Sequence, residues 1–131
     1  MTRRHSILSI VDPKEEHNSI LQKFVDDCGC DIIEESELDI SLERVQQRKF
    51  DVILLDAEMQ GMQIDRFIHI LKELDPAVKI IVVANQNSKD LEAKIRKAKV
   101  YYYHLNSFGP AELKLAIKSA LNKPDSDCGT S

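Results

Sequence analysis

Two aspartates each close a short apolar run. Asp12 follows Ile7-Leu8-Ser9-Ile10-Val11, and Asp56 follows Val52-Ile53-Leu54-Leu55. Such runs read as buried strands, so a carboxylate at the end of each stands at the rim of a fold. Paired carboxylates in one crevice can hold a hard divalent cation such as magnesium, which takes a few carboxylates and keeps several waters. A carboxylate beside bound magnesium can also act as a nucleophile toward a phosphoryl group, because the metal neutralises charge that would repel an anionic donor. The plainer readings are a solvated strand-end carboxylate for Asp56 and a helix N-cap for Asp12, with Pro13 at the first helical position. Capping and metal binding are compatible.

The elements that would position these groups emerge from periodicity. After the first strand, Ile20, Leu21, Phe24, Val25 and Cys28 recur at helical spacing, with Gly29 where a C-terminal cap belongs. Asp31 to Glu34 is a weak second strand, and Leu38, Leu42 and Val45 mark a helix. Val52 to Leu55 is a strong third strand. Ile64, Phe67, Ile68, Leu71 and Leu74 make an amphipathic helix stopped by Pro76. Ile80 to Ala84 is a fourth strand, and Ser88 caps a helix with Leu91, Ile95 and Ala98 on its inner face. Val100 to Leu105 is a fifth strand. Pro110 opens a last helix whose inner face is Leu113, Ala116, Ile117, Ala120 and Leu121. Residues 123–131 are polar and read as a disordered tail or the start of a linker. Strands alternating with helices predict an α/β fold, a doubly wound parallel sheet covered on both faces. In such sheets the site lies beyond the carboxyl ends of the strands, which selects Asp12, Asp56, Ala84 and Asn106.

Asp51-Val52-Ile53-Leu54-Leu55-Asp56-Ala57-Glu58-Met59-Gln60-Gly61-Met62 resembles the phosphorylation segment of response regulator receiver domains, which typically reads apolar strand, Asp, two variable residues, Met-Pro-Gly-Met. Ile10-Val11-Asp12-Pro13 resembles the acidic corner after that family's first strand, and Asp12 lies 44 positions before Asp56, a family-like spacing. The resemblance runs over residues 5–122. It implies a five-stranded flavodoxin-like (CheY-like) three-layer sandwich with strand order 2-1-3-4-5. Asp56 would take phosphoryl from a histidine kinase or phosphotransfer protein, and magnesium would be held by Asp12, Asp56 and the Glu58 backbone carbonyl. Tyr103 would be the aromatic switch residue that reports to a downstream protein target. The family also offers a homodimer through its last two helices and last strand.

The sequence departs from the family where the switch is driven. One of two usual adjacent acids is replaced by Pro13, the usual Ser or Thr after strand four by Ala84, and the usual Lys after strand five by Asn106. Moving a two-state switch from mostly off to mostly on takes about 5.5 kcal/mol. A hydrogen bond to a charged group contributes roughly 1.5–3 kcal/mol. Losing the hydroxyl and the ammonium together removes most of that drive, so phosphorylation that is slow or absent, and that couples poorly to conformation where it occurs, is expected. The second reading is a phosphorylation-independent pseudo-receiver that serves as a protein-interaction module. A metal-dependent hydrolase lacks a second acid or base in recognisable spacing with Asp56.

Composition narrows the partners. The 131 residues carry 18 basic and 22 acidic side chains, a net charge of -4, and the cations are dispersed, which argues against nucleic acid. No run approaches the ~20 apolar residues of a membrane helix. Cys28, Cys30 and Cys128 form no disulfide framework, so a reducing, cytoplasmic setting is expected. Tyr101-Tyr102-Tyr103 reads as a strand with alternating faces rather than a base-stacking platform. Lys94, Arg96, Lys97 and Lys99 read as a solvated helix face.

Overall fold

Aliphatic residues without a polar alternate demand cover on both sides, and the sheet supplies it. The computed structural model describes residues 5–10, 30–59, 63–85 and 88–121. Its strands are β1 (Ser6–Ile10), β2 (Asp31–Glu35), β3 (Val52–Asp56), β4 (Lys79–Ala84) and β5 (Tyr102–Leu105). Its helices are α1 (Leu38–Gln47), α2 (Ile64–Leu74), α3 (Lys89–Lys97) and α4 (Pro110–Ala120), with a 3-10 turn at Asn106–Phe108. All strand pairs are parallel, in the order β2-β1-β3-β4-β5. This is the expected doubly wound, flavodoxin-like order. The expected helix over residues 20–28 lies outside the described residues.

Every residue of β1 and β3 is buried. Their side chains alternate between two cores, as the period-two geometry of a strand requires. Leu8, Ile10, Ile53, Leu55, Ile80 and Val82 face Val45 of α1, Phe67, Ile68 and Leu71 of α2, and Ile95 of α3. Ile7, Val52, Leu54, Ile81 and Val83 face Leu113, Ala116, Ile117 and Ala120 of α4. Burying each of these aliphatic side chains stabilises the fold by about 1.5–3 kcal/mol before entropy is counted. Among the described residues no helix is long and apolar enough to cross a membrane.

The helix ends are fixed by side chains, several from far away in sequence. Ser88 Oγ accepts the Leu91 amide at 3.3 Å, the expected N-cap. α2 ends at Leu74, and Asp75 turns extended before Pro76, as the residue before a proline must. Lys72 Nζ donates to the carbonyls of Ala98 and Lys99, and Lys79 Nζ donates to that of Ala120. Each ammonium therefore sits at a helix C-terminus, where orphan carbonyls and the helix dipole favour positive charge. β5 begins two residues later than the expected Val100. Ala98 and Lys99 complete the end of α3, with Lys99 at φ 61°, so Val100 and Tyr101 bring the chain out of that turn before the ladder starts.

Glu35 organises the start of α1. Its Oε2 accepts the amides of Ser36 and Glu37, and its Oε1 accepts Arg44 Nε at 2.9 Å. Burial raises the Glu35 pKa, but the hydrogen bonds from Arg44, Glu37 and Ser36 outweigh that and hold it below its ordinary value. A carboxyl depressed by folding adds stability that is complete above the unfolded pKa, near 4.3, and lost as pH falls through the lower folded value. Urea unfolding at pH 6 and pH 3 should therefore show a larger acid loss for the wild type than for Glu35→Gln. Equal losses in the two proteins would contradict the assignment.

Candidate functional site

β3 delivers Asp56 to the carboxyl edge of the sheet and then turns sharply. Asp56 is 3 % exposed. Its Oδ1 accepts the Glu58 amide at 2.8 Å, and its carbonyl accepts the Met59 amide at 3.3 Å. The side chain thus imitates a backbone turn, a habit of aspartate, and the carboxylate is fixed by the segment it leads into. The Ala57 amide donates to the Val83 carbonyl at 2.9 Å, which ties this turn to the end of β4. Glu58 is exposed.

The neighbouring strand ends lie in register. Ile10, the last described residue of β1, pairs with Leu55, one residue before Asp56. Asp56 pairs with Val83, and Ala84 follows it, fully buried, opposite Leu105 of β5. Ala84 thus ends β4, the strand-end position expected of it, and its side chain carries no hydroxyl. Asn106 starts the 3-10 turn directly after β5; its side chain is not described. Asp12 and Pro13 lie outside the described residues. Among the described residues no three His, Cys, Asp or Glu side chains converge on a metal site. The donors present at this edge, the Asp56 carboxylate and the backbone carbonyls of its turn, are hard oxygens, the type magnesium selects over softer metals.

Tyr103 sits two residues back from the strand end, paired with Val82 and 7 % exposed. Its ring joins the core under α3, whereas Tyr102 packs against the core under α4, so the alternation expected of the three tyrosines holds. The Tyr103 hydroxyl has no hydrogen-bond partner among the described residues. The Arg96 guanidinium lies 6.0 Å from the ring centroid, and Glu92 holds Arg96 Nε at 2.7 Å. Burial pushes the phenol's pKa up, the Glu92 charge adds to this, and Arg96 opposes it. Arg96 stays on the exposed face of α3 expected of it, with its guanidinium held beside the Tyr103 ring. Its place over Tyr103 depends on how α3 docks on β5, and the i,i+4 spacing of Glu92 and Arg96 is the only local sign that Arg96 is held.

The family model for the response regulator receiver domain matches residues 8–118. The transcriptional regulatory protein ZraR of Escherichia coli O157:H7 is 24% identical over 121 residues, covering 92% of this chain and 27% of ZraR. The chain thus spans about a quarter of the length of the curated relatives it matches. Among solved structures, the signal receiver domain of an HD domain-containing protein from Pseudomonas fluorescens Pf-5 superposes with a TM-score of 0.82 at 23% identity, covering 93% of this chain and 90% of that one. A CheY-like receiver domain protein from Methanospirillum hungatei JF-1 gives 0.81 at 20% identity, with 92% and 95% covered.

A buried hydroxyl that makes no bond contributes nothing when present and leaves no partner stranded when removed. Tyr103→Phe should unfold at the same or a higher urea concentration at pH 7, by about 1 kcal/mol at most. A phenol whose pKa is raised by folding loses stability as pH climbs from about 10 toward the folded value, so Phe should also lessen the alkaline loss. A variant clearly less stable at pH 7 would show that the hydroxyl is bonded.

Proposed function

Because this chain belongs to the response regulator receiver domain family, we propose that it is the phosphoryl-accepting module of a two-component pathway, with Asp56 as acceptor. The observation that carries this reading is the Asp56 carboxylate at the carboxyl end of β3, buried and fixed by the Glu58 amide. The donor is a histidine kinase or phosphotransfer protein, and the recipient of the signal is a downstream protein target. The module signals and does not turn over a diffusible substrate. The cytoplasm, where such donors act, is the compartment this reading requires.

The chemistry is a phosphoryl exchange. A carboxylate oxygen of Asp56 bonds to phosphorus as the phosphorus–nitrogen bond of the donor's phosphohistidine breaks, and the imidazole leaves with the electron pair. Asp12, Asp56 and the Glu58 carbonyl would hold magnesium, whose charge when bound offsets that of the phosphoryl oxygens. The register that pairs Ile10 with Leu55 brings the end of β1 beside the end of β3. The Glu58 amide keeps the carboxylate oriented before the donor arrives, which removes part of the entropic cost of alignment.

The conformational response to the transfer is weak. Ala84 offers no hydroxyl to a phosphoryl group on Asp56, and Asn106 has no ammonium to pair with it. Each missing charged contact removes roughly 1.5–3 kcal/mol of the ~5.5 kcal/mol that a full switch needs. Phosphorylation is therefore slow, and it moves Tyr103 little.

Acetyl phosphate with magnesium, followed by intact mass measurement, tests the assignment. One phosphoryl group should add slowly and incompletely, and none should add to Asp56→Asn. Rapid, near-complete addition would refute the weak site. Addition that persists in Asp56→Asn, or no addition at all, would refute Asp56 as acceptor and leave a phosphorylation-independent module.

A further inference from the structure

Among the described helices, α3 is the least firmly seated. Of its nine residues Ile95 alone is fully buried, with Leu91 and the following Ala98 partly covered. α2, by contrast, buries Ile64, Phe67, Ile68 and Leu71. A helix this short draws most of its stability from such packing. The turn that ends α3 places Lys99 at φ 61°, a left-handed conformation that is costly for a residue with a Cβ. The helix also closes over Tyr103, whose hydroxyl has no hydrogen-bond partner among the described residues. A buried donor without a partner has given up its water for nothing. Both features favour a state in which α3 has lifted away.

Two polar ties oppose that state. Ser88 caps the start of the helix. At its end the tie comes from another element. Lys72 of α2 donates from Nζ to the Lys99 carbonyl at 2.7 Å and to the Ala98 carbonyl at 3.4 Å. These carbonyls lie past the last helical amide, so an ammonium meets both their lone pairs and the negative end of the helix dipole. The surrounding charges do not explain its place. Lys94, Arg96 and Lys97 crowd the same last turn, and Lys99 follows them. Glu92 is taken by Arg96, and Glu73, beside Lys72 on α2, by His69. Asp75 accepts the Ala77 amide. The two carbonyls are what hold Lys72 among like charges.

We infer that Lys72 is a strap on α3. The helix opens as a unit while the sheet, α2 and α4 stay folded, and the Lys72 ammonium sets the open fraction. On opening, Ile95 and Arg96 leave Tyr103, Lys99 relaxes from its left-handed conformation, and the phenol reaches water. This equilibrium belongs to the fold itself and goes beyond the phosphoryl chemistry of Asp56.

Amide hydrogen exchange read by NMR tests the strap. In the wild type, amides 95–98 should exchange at least about tenfold faster than those of β3 and β4, with a weaker urea dependence, as local opening requires. Lys72→Met keeps an unbranched apolar stem and removes the ammonium. It should speed exchange at 95–98 about three- to tenfold and leave β3 and β4 unchanged. Adding Tyr103→Phe should slow those amides again, because opening no longer frees a hydroxyl. Adding Lys99→Gly should slow them by removing the left-handed cost. The inference is overturned if amides 95–98 match β3 and β4 in rate and urea dependence, or if Lys72→Met leaves them unchanged. Equal acceleration at every amide, or no slowing by either added substitution, would overturn it too. None of these outcomes depends on Asp56 accepting a phosphoryl group.

Discussion

A carboxylate that is nearly excluded from water must be met by hydrogen bonds or by opposite charge, or it costs several kcal/mol. Asp56, 3 % exposed at the end of a wholly buried strand, is held under that constraint. The Glu58 amide meets one oxygen directly, and it can do so only because the chain turns at once after β3. The Ala57 amide on the Val83 carbonyl fixes the turn against β4. The edge of the sheet is therefore built around one acidic side chain, and the neighbouring strand ends take their functional meaning from their distance to it.

On the proposed reading, the same architecture makes a signal at Asp56 travel poorly. β4 lies between β3 and β5 and ends in Ala84, whose methyl group offers no polar contact. On β5, Tyr103 is already inside the core beneath α3, with Arg96 over its ring and Glu92 holding Arg96. These contacts belong to the resting fold and need no phosphoryl group to form. The receiver fold is thus kept, with Ala84 ending β4 and Asn106 opening the turn after β5.

Much of this was legible in the sequence because the information was local. Short, mostly aliphatic runs marked β1, β3 and β4. The spacing of Ile64, Phe67, Ile68 and Leu71 gave α2 and its buried face, and Ser88 and Pro110 marked helix starts through capping and a fixed φ. The placement of Asp56 and Ala84 at adjacent strand ends came from element lengths. The features that were not legible depend on contacts between distant residues. Lys72 and Lys79 cap the ends of helices 26 and 41 residues away. Arg96 reaches Tyr103 only after α3 docks. The late start of β5 reflects the turn at Ala98 and Lys99, which overrides the strand propensity of Val100 and Tyr101. Cys30, which belongs to no periodic run, is buried in the core under α4.

Asp56 as the receiver of a phosphoryl group, with little consequence at Tyr103, can be tested in a single experiment. Beryllofluoride, a stable phosphoryl mimic, probes both halves at once when added with magnesium and read by fluorine and amide NMR. One bound species is predicted, absent in Asp56→Asn, with large amide shifts at residues 56–59 and 83–84 and small ones at 102–105. No bound species, or shifts at Tyr103 as large as those at Asp56, would contradict it.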